Sequence, residues 1–168
     1  MIMLFLLMAV GAVITLAAVY DAATLTIPNW ISIVLVGLFP VAAICSGSDF
    51  TSVGLHLAIG FAALLVGMVL FAFNFIGGGD AKFFAAVSLF IGLPDMGSYL
   101  FMVVVAGGVL AMVLLVARRI SLMGISMDWF LKFTRGGSVI PYGIAIAFGA
   151  LAVLPETQIF AAALAQAS

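Results

Sequence analysis

The stretch MIMLFLLMAVGAVITLAAVY, residues 1–20, contains no charged side chain and is closed by Asp21. At about 1.5 Å of rise per helical residue, such a stretch reaches about 30 Å, the hydrocarbon thickness of a bilayer. The same reading repeats along the chain. Ala22 to Ser48, Phe50 to Gly79, Met96 to Ala117 and Gly136 to Pro155 are equally free of Asp, Glu, Lys and Arg. The shorter run Phe83 to Pro94 reaches across only if extended back through the glycines before Asp80. The expected spans are 2–20, 30–46, 53–73, 79–94, 98–117 and 139–155. The fold class is therefore all-α, a polytopic membrane protein of six transmembrane helices forming a single integral-membrane domain over 1–168. No Lys or Arg precedes the first run, it is longer than a secretory h-region, and further spans follow, so it is expected to remain as a transmembrane helix. Continuous apolar runs of this length also differ from the alternating strands of an outer-membrane barrel.

Composition agrees. Of 168 residues, 67% are hydrophobic and 7% charged, with a mean hydropathy of +1.48. A soluble domain carries about 25% charged residues, so a water-soluble globule, a disordered chain and a nucleic-acid binder are all disfavoured. Lone Cys45 cannot form an intrachain disulfide, and with lone His56 it offers no structural metal site.

Orientation follows from the cations. Arg118, Arg119, Lys132 and Arg135 fall between the fifth and sixth spans and Lys82 sits beside the linker between the third and fourth, whereas Asp49, Asp95 and Glu156 fall at the opposite ends. The positive-inside rule places linkers 21–29, 74–80 and 118–138 in the cytoplasm and both termini outside. Segment 118–138 mixes apolar and basic residues around Trp129, which suits either an interfacial helix against anionic lipid or a loop around the mouth of the bundle.

On that topology Asp21 and Asp80 occupy the cytoplasmic ends of their helices at similar depth. Carboxylates beside hydrocarbon are costly without a partner or a task. Two that share a proton can divide labour, one activating water while the other protonates a carbonyl oxygen. Two interfacial end caps would look the same in sequence. Asp21 ends the first helix, where the macrodipole disfavours negative charge, and Asp80 begins the fourth, where it favours it. That asymmetry assigns the proton to Asp21 and makes Asp80 the ionised base. Gly77, Gly78 and Gly79 permit unusual dihedrals and close backbone approach, or form only a flexible turn. The run lacks the lysine-serine/threonine ending of a phosphate loop.

Three segments carry a family resemblance. Asp21-Ala22-Ala23-Thr24-Leu25-Thr26-Ile27-Pro28-Asn29, then Gly77-Gly78-Gly79-Asp80-Ala81-Lys82, then Val139-Ile140-Pro141-Tyr142-Gly143 resemble, in order, the motifs of the type IV prepilin peptidase family, including its GxGDxK signature. The chain is most similar to the short branch associated with tight-adherence, or Flp, pili. The resemblance implies an intramembrane aspartyl endopeptidase of the bacterial inner membrane that removes the basic leader of prepilins or pseudopilins at the cytoplasmic face. Asp21 and Asp80 would be catalytic, with no metal and no diffusible cofactor. The partners implied are the prepilin substrate, membrane lipids and pilus-assembly machinery, with no nucleic acid. Thr24, Leu25 and Thr26 stand where many relatives carry a basic residue before Ile-Pro-Asn. The chain also lacks the cysteine-rich zinc region of long-branch relatives that methylate the new N-terminus, which implies peptidase activity alone.

Supporting roles can be read beside the motifs. Pro28 suits the first turn of the second span with Thr26 as its N-cap, and Asn29 can donate and accept at the same face. Lys82 lies about 200° around the helix from Asp80, so it is expected to reach lipid phosphate or another helix. Tyr142 is expected either to bind substrate backbone or to anchor at the interface. His56 is expected on the outer side, remote from the aspartates. Competing readings are a small transporter or channel subunit in which Asp21 and Asp80 couple protons or cations, and a noncatalytic assembly scaffold.

Overall fold

The computed structural model describes residues 1–122 and 141–165. Among these residues every regular element is helical: α1 (Ile2–Thr24), α2 (Asn29–Cys45), α3 (Phe50–Ala72), α4 (Gly78–Leu122), α5 (Tyr142–Val153), a 3-10 turn at Leu154–Glu156, and α6 (Gln158–Ala165). Ile2–Thr24, Phe50–Ala72 and Gly78–Ala117 are long and apolar enough to cross a membrane, while Asn29–Cys45 and Tyr142–Glu156 are shorter apolar helices. The apolar surface is turned outward as much as inward. On α3, Phe61, Val66, Met68 and Phe71 are all more than half exposed, an all-round hydrophobic helix that only lipid can solvate.

α4 is not one rod. Gly92 has φ 71 and ψ 178, outside helical geometry, and Pro94 follows it. Phe84 and Tyr99 stack with ring centroids 5.5 Å apart, whereas fifteen residues of straight helix would separate them by about 22 Å. The chain therefore turns back at Gly92, giving limbs 78–91 and 93–122. A glycine of positive φ with a proline shortly after it is the usual way to stop one helix and start another. The expected spans 79–94 and 98–117 correspond to these two limbs.

His56 secures the turn. It is buried on α3, and its Nδ1 lies 2.7 Å from the Leu89 carbonyl oxygen, one of the carbonyls left without an intrahelical partner where the first limb ends. A Cβ added to Gly92 would lie 2.5 Å from His56 Cε1. Gly92→Ala must therefore displace the ring and also occupy a backbone region that is nearly glycine-only, together costing at least about 2 kcal/mol. Thermal unfolding of the purified protein should show a lower midpoint than Gly97→Ala, where an added Cβ meets nothing within 4 Å.

Close packing relies on small residues, as expected where helices associate without a hydrophobic driving force. Gly60, Ala63 and Gly67 form the buried face of α3, and a Cβ on Gly67 would come within 3.0 Å of Ala81. α3 thus lies flat against the start of α4, antiparallel to its first limb. α5 packs against the second limb, where Gly149 approaches the Val103 backbone nitrogen. Asp49 caps α3 by accepting the Ser52 N–H at 3.1 Å.

The helices also depart from expectation. The α4 helix runs on to Leu122, so Arg118 and Arg119 extend a helix rather than open a linker. Beyond it, the interfacial helix considered for 118–138 and the start of the span at 139–140 lie outside the described residues. The helix α6 was not anticipated. It turns back so that Ile159 and Phe160 are buried, with Phe160 stacked on Phe90 at 6.3 Å.

Candidate active site

Asp21 and Asp80 arrive at the same end of the bundle from elements far apart in sequence. α1 continues to Thr24, so Asp21 lies in its last turn, 2% exposed. Asp80 is the third residue of α4, 8% exposed. The two carboxyls are close enough for their charges to act on one another.

Asp80 is held by its own helix start. Its Oδ2 accepts the Gly77 N–H at 3.2 Å, the return half of a capping box, in which a side chain in the first turn bonds the residue preceding the helix. Asp21 is held by a different helix. The first turn of α5 lies against it, with the backbone of Gly143 and Ile144 facing the carboxyl, while the Ile144 N–H donates to the Pro141 carbonyl oxygen at 3.3 Å. Asp21 thus stands at the amide end of α5. Its Oδ2 is buried without a hydrogen-bond partner. The helix ends around the two carboxyls are therefore more alike than the sequence suggests. Both aspartates meet the amide end of a helix, because α5 brings its N-terminus to the place where α1 ends.

The glycine run acts by closeness rather than by unusual dihedrals. Among the described residues the glycines of positive φ are Gly47 and Gly92, and Gly77, Gly78 and Gly79 are not among them. The left-handed positions near the site are Leu25 (φ 57) and Asn74 (φ 60). Leu25 ends α1, its N–H donating to the Asp21 carbonyl at 2.8 Å. A Cβ on Gly79 would lie 2.9 Å from the Ile27 carbonyl oxygen, and one on Gly77 would lie 3.0 Å from Asp80 Oδ2. On Gly78 it would meet only the Phe71 ring edge, at 3.3 Å.

Ile27 is the residue that sequence reasoning missed. It is buried, its backbone faces Gly79, and its Cδ1 would be 2.6 Å from a Cβ on Gly143. The α1–α2 linker is thereby wedged between the segments that carry Asp80 and face Asp21. An isoleucine beside a Pro-Asn pair gives no signal of this in sequence, because both of its contacts are made across the fold.

The remaining predicted residues surround this centre. Pro28 is itself the N-cap of α2, with φ −62 and ψ 138, and no side chain caps that helix. Thr26 does not serve there: its hydroxyl lies 2.9 Å from that of Thr24. Asn29 accepts a hydrogen bond from Lys82 Nζ at 2.9 Å, so the lysine reaches another helix. Pro141 is the N-cap of α5, and half-buried Tyr142 is its first residue. Tyr20 and Trp30, edge to face at 6.3 Å, add the aromatic pair common where helices leave hydrocarbon. His56 belongs to the opposite end, beside Gly92. Among the described residues no three of His, Cys, Asp and Glu converge as metal ligands would.

A cavity of about 320 Å³ opens beside Asp80, lined by residues of the 25–29 linker and of Gly77 to Asp80. Asp80 is one of its lining residues, and Asp21 is not. A short extended peptide or a water molecule can occupy such a space, with backbone amides and carbonyls along its walls.

The sequence model described as the type IV leader peptidase family matches residues 4–116, a stretch that contains both aspartates and the glycine run. No curated protein and no solved structure matches the chain.

Proposed function

The chain belongs to the type IV leader peptidase family, and from that premise we propose that it is an intramembrane aspartyl endopeptidase acting through Asp21 and Asp80. The observation that carries this reading is the convergence of two buried carboxyls, one at the end of α1 and one at the start of α4, at one end of an otherwise apolar bundle. The chemistry needs no other group. Water attacks the scissile carbonyl carbon as Asp80 takes its proton, and Asp21 gives a proton to the carbonyl oxygen. The tetrahedral diol then collapses, the C–N bond breaks, the leaving amine takes the proton from Asp80, and a diol hydroxyl returns one to Asp21. Asp80 is the base because it borders the cavity, and the unpartnered Oδ2 of Asp21 carries the shared proton. The pair titrates as a unit.

The substrate in this reading is a prepilin or pseudopilin of the Flp type, its leader removed at the cytoplasmic face of the inner membrane, without methylation of the product. Pro28, Asn29, Gly77, Gly78 and Gly79 border the peptide, and Pro141, Tyr142 and Gly143 seat Asp21. The deciding experiment is cleavage of a prepilin co-expressed in membranes, lost separately on Asp21→Asn and Asp80→Asn.

The same reading has six crossings, with the two limbs of α4 as the fourth and fifth, and both termini outside. Among the described residues Lys82 and Arg119 lie toward the aspartate end, which supports this orientation. In a Cys45→Ser background, single cysteines at position 168 and within 123–138 should react with a membrane-impermeant maleimide from opposite sides of the membrane. Labelling from one side would remove a crossing, and with it the cytoplasmic placement of the site.

A further inference from the structure

α2 and α3 are consecutive in sequence but scarcely touch; both pack on the first limb of α4. The space between them is a groove of about 630 Å³. Its walls are apolar along Ile33, Val36, Leu57 and Phe61, and its polar end is formed by Asn29 and Lys82. We propose that this groove is a binding site for one anionic phospholipid of the surrounding bilayer, the phosphate held by Lys82 and Asn29 and an acyl chain lying between α2 and α3.

Polarity along the groove matches such a molecule in order. Lys82 is an exposed cation whose bond goes to a neutral amide, so its charge is not compensated within the pair. Its ammonium has further N–H donors, and Asn29, accepting through Oδ1, keeps its NH₂ group as a donor. Ser32 lies one turn deeper, about 4.5 Å along the axis. It lines the groove, is 8% exposed, and its hydroxyl has no hydrogen-bond partner. That is the depth at which a glycerolipid carries its ester carbonyls, acceptors for a hydroxyl. Below Ser32 only apolar side chains follow.

Length favours a lipid over a transmembrane peptide. From Asn29 to Val36 the groove runs about 10 Å, within the roughly 15 Å of one leaflet. Aromatic rings interrupt it there, and the space beyond them between Pro40, Ile44 and Val53 is a separate cavity of about 230 Å³. Phe39 bridges the helices there, 5.9 Å from His56 of α3 and 5.7 Å from Phe90 of α4 by ring centroid. A helix crossing the whole bilayer would need the groove to run unbroken past Phe39, whereas a chain from one leaflet does not. Charge points the same way, since a cation at the mouth attracts phosphate and repels a basic peptide.

The test uses the purified full-length protein in phosphatidylcholine nanodiscs containing a minor share of phosphatidylglycerol, read by native mass spectrometry. One phosphatidylglycerol should be retained per protein molecule in preference to phosphatidylcholine. Lys82→Gln should lower that retention about fivefold, the effect of one cation at an anionic surface, and Val36→Trp, which fills the groove from its lipid-facing wall, should abolish it. Equal retention of the two lipids, or of phosphatidylglycerol across wild type and both variants, overturns the site. A photoreactive benzoylphenylalanine at position 36 of the otherwise native chain gives a second readout that does not depend on either variant folding. Adducts of phospholipid mass support the proposal, and adducts to a co-expressed prepilin instead would reassign the groove to the peptide.

Discussion

Asp21→Asn and Asp80→Asn should each lower leader cleavage by about 10³-fold or more, since proton transfer by a positioned side chain contributes 10²–10⁴-fold and each substitution removes one end of the relay. The amide of Asn cannot accept a proton from water at neutral pH, nor give one to a carbonyl oxygen. The double variant should be no slower than either single one, because groups that act as a unit do not contribute additively. Folding should survive. In the first variant the side-chain amide keeps an oxygen toward the amide end of α5, and in the second it keeps one for the Gly77 N–H. Each change also removes a carboxyl from a buried site. Unfolding midpoints at or above wild type, alongside lost cleavage of a co-expressed prepilin, are the expected pair of results. Near-normal turnover in either folded variant would remove that residue from the chemistry, and a transporter or scaffold role would then have to explain the buried pair.

Gly143→Ala should produce the next largest loss. Its new Cβ would stand 2.7 Å from Asp21 Oδ2 and 2.6 Å from Ile27 Cδ1, so the carboxyl and the wedge cannot both stay in place. A displacement of about 1 Å at a catalytic group costs on the order of 100-fold. Gly79→Ala should act similarly through the Ile27 backbone, which cannot rotate away as a side chain can. Gly78→Ala, facing only the Phe71 ring edge, should remain close to wild type. Gly37→Ala and Gly54→Ala, where an added Cβ meets nothing within 4 Å, serve as controls for the effect of any glycine change in a helix. Ranking all five by initial rate of prepilin cleavage, at matched protein levels, tests whether closeness to Ile27 and Asp21 governs activity. A uniform response would reduce the glycine run to a plain linker.

The helical class and the position of each carboxylate were legible along the chain because both depend on local information. A charge-free run declares a helix that lipid can solvate, and an aspartate at its end is located by counting. A break between 79–94 and 98–117 was readable from Asp95 for the same reason, although the turn itself, at Gly92, appears only in the structure. Other features exist only between segments. Asp21 ends α1, and by its own helix its charge should be disfavoured, yet α5 brings its first turn, at Gly143 and Ile144, against it from more than a hundred residues away. Gly79 carries no positive φ, so its requirement arises from the Ile27 backbone packed against it. Asn29 and Lys82 find each other because α2 and α4 run side by side, and the groove beside them exists because α2 and α3 do not. Hydropathy and spacing report what one residue prefers on its own helix. Which helix end faces which carboxyl, and where two backbones come too close for a Cβ, is decided by the packing of apolar surfaces that hold no directional information until they meet.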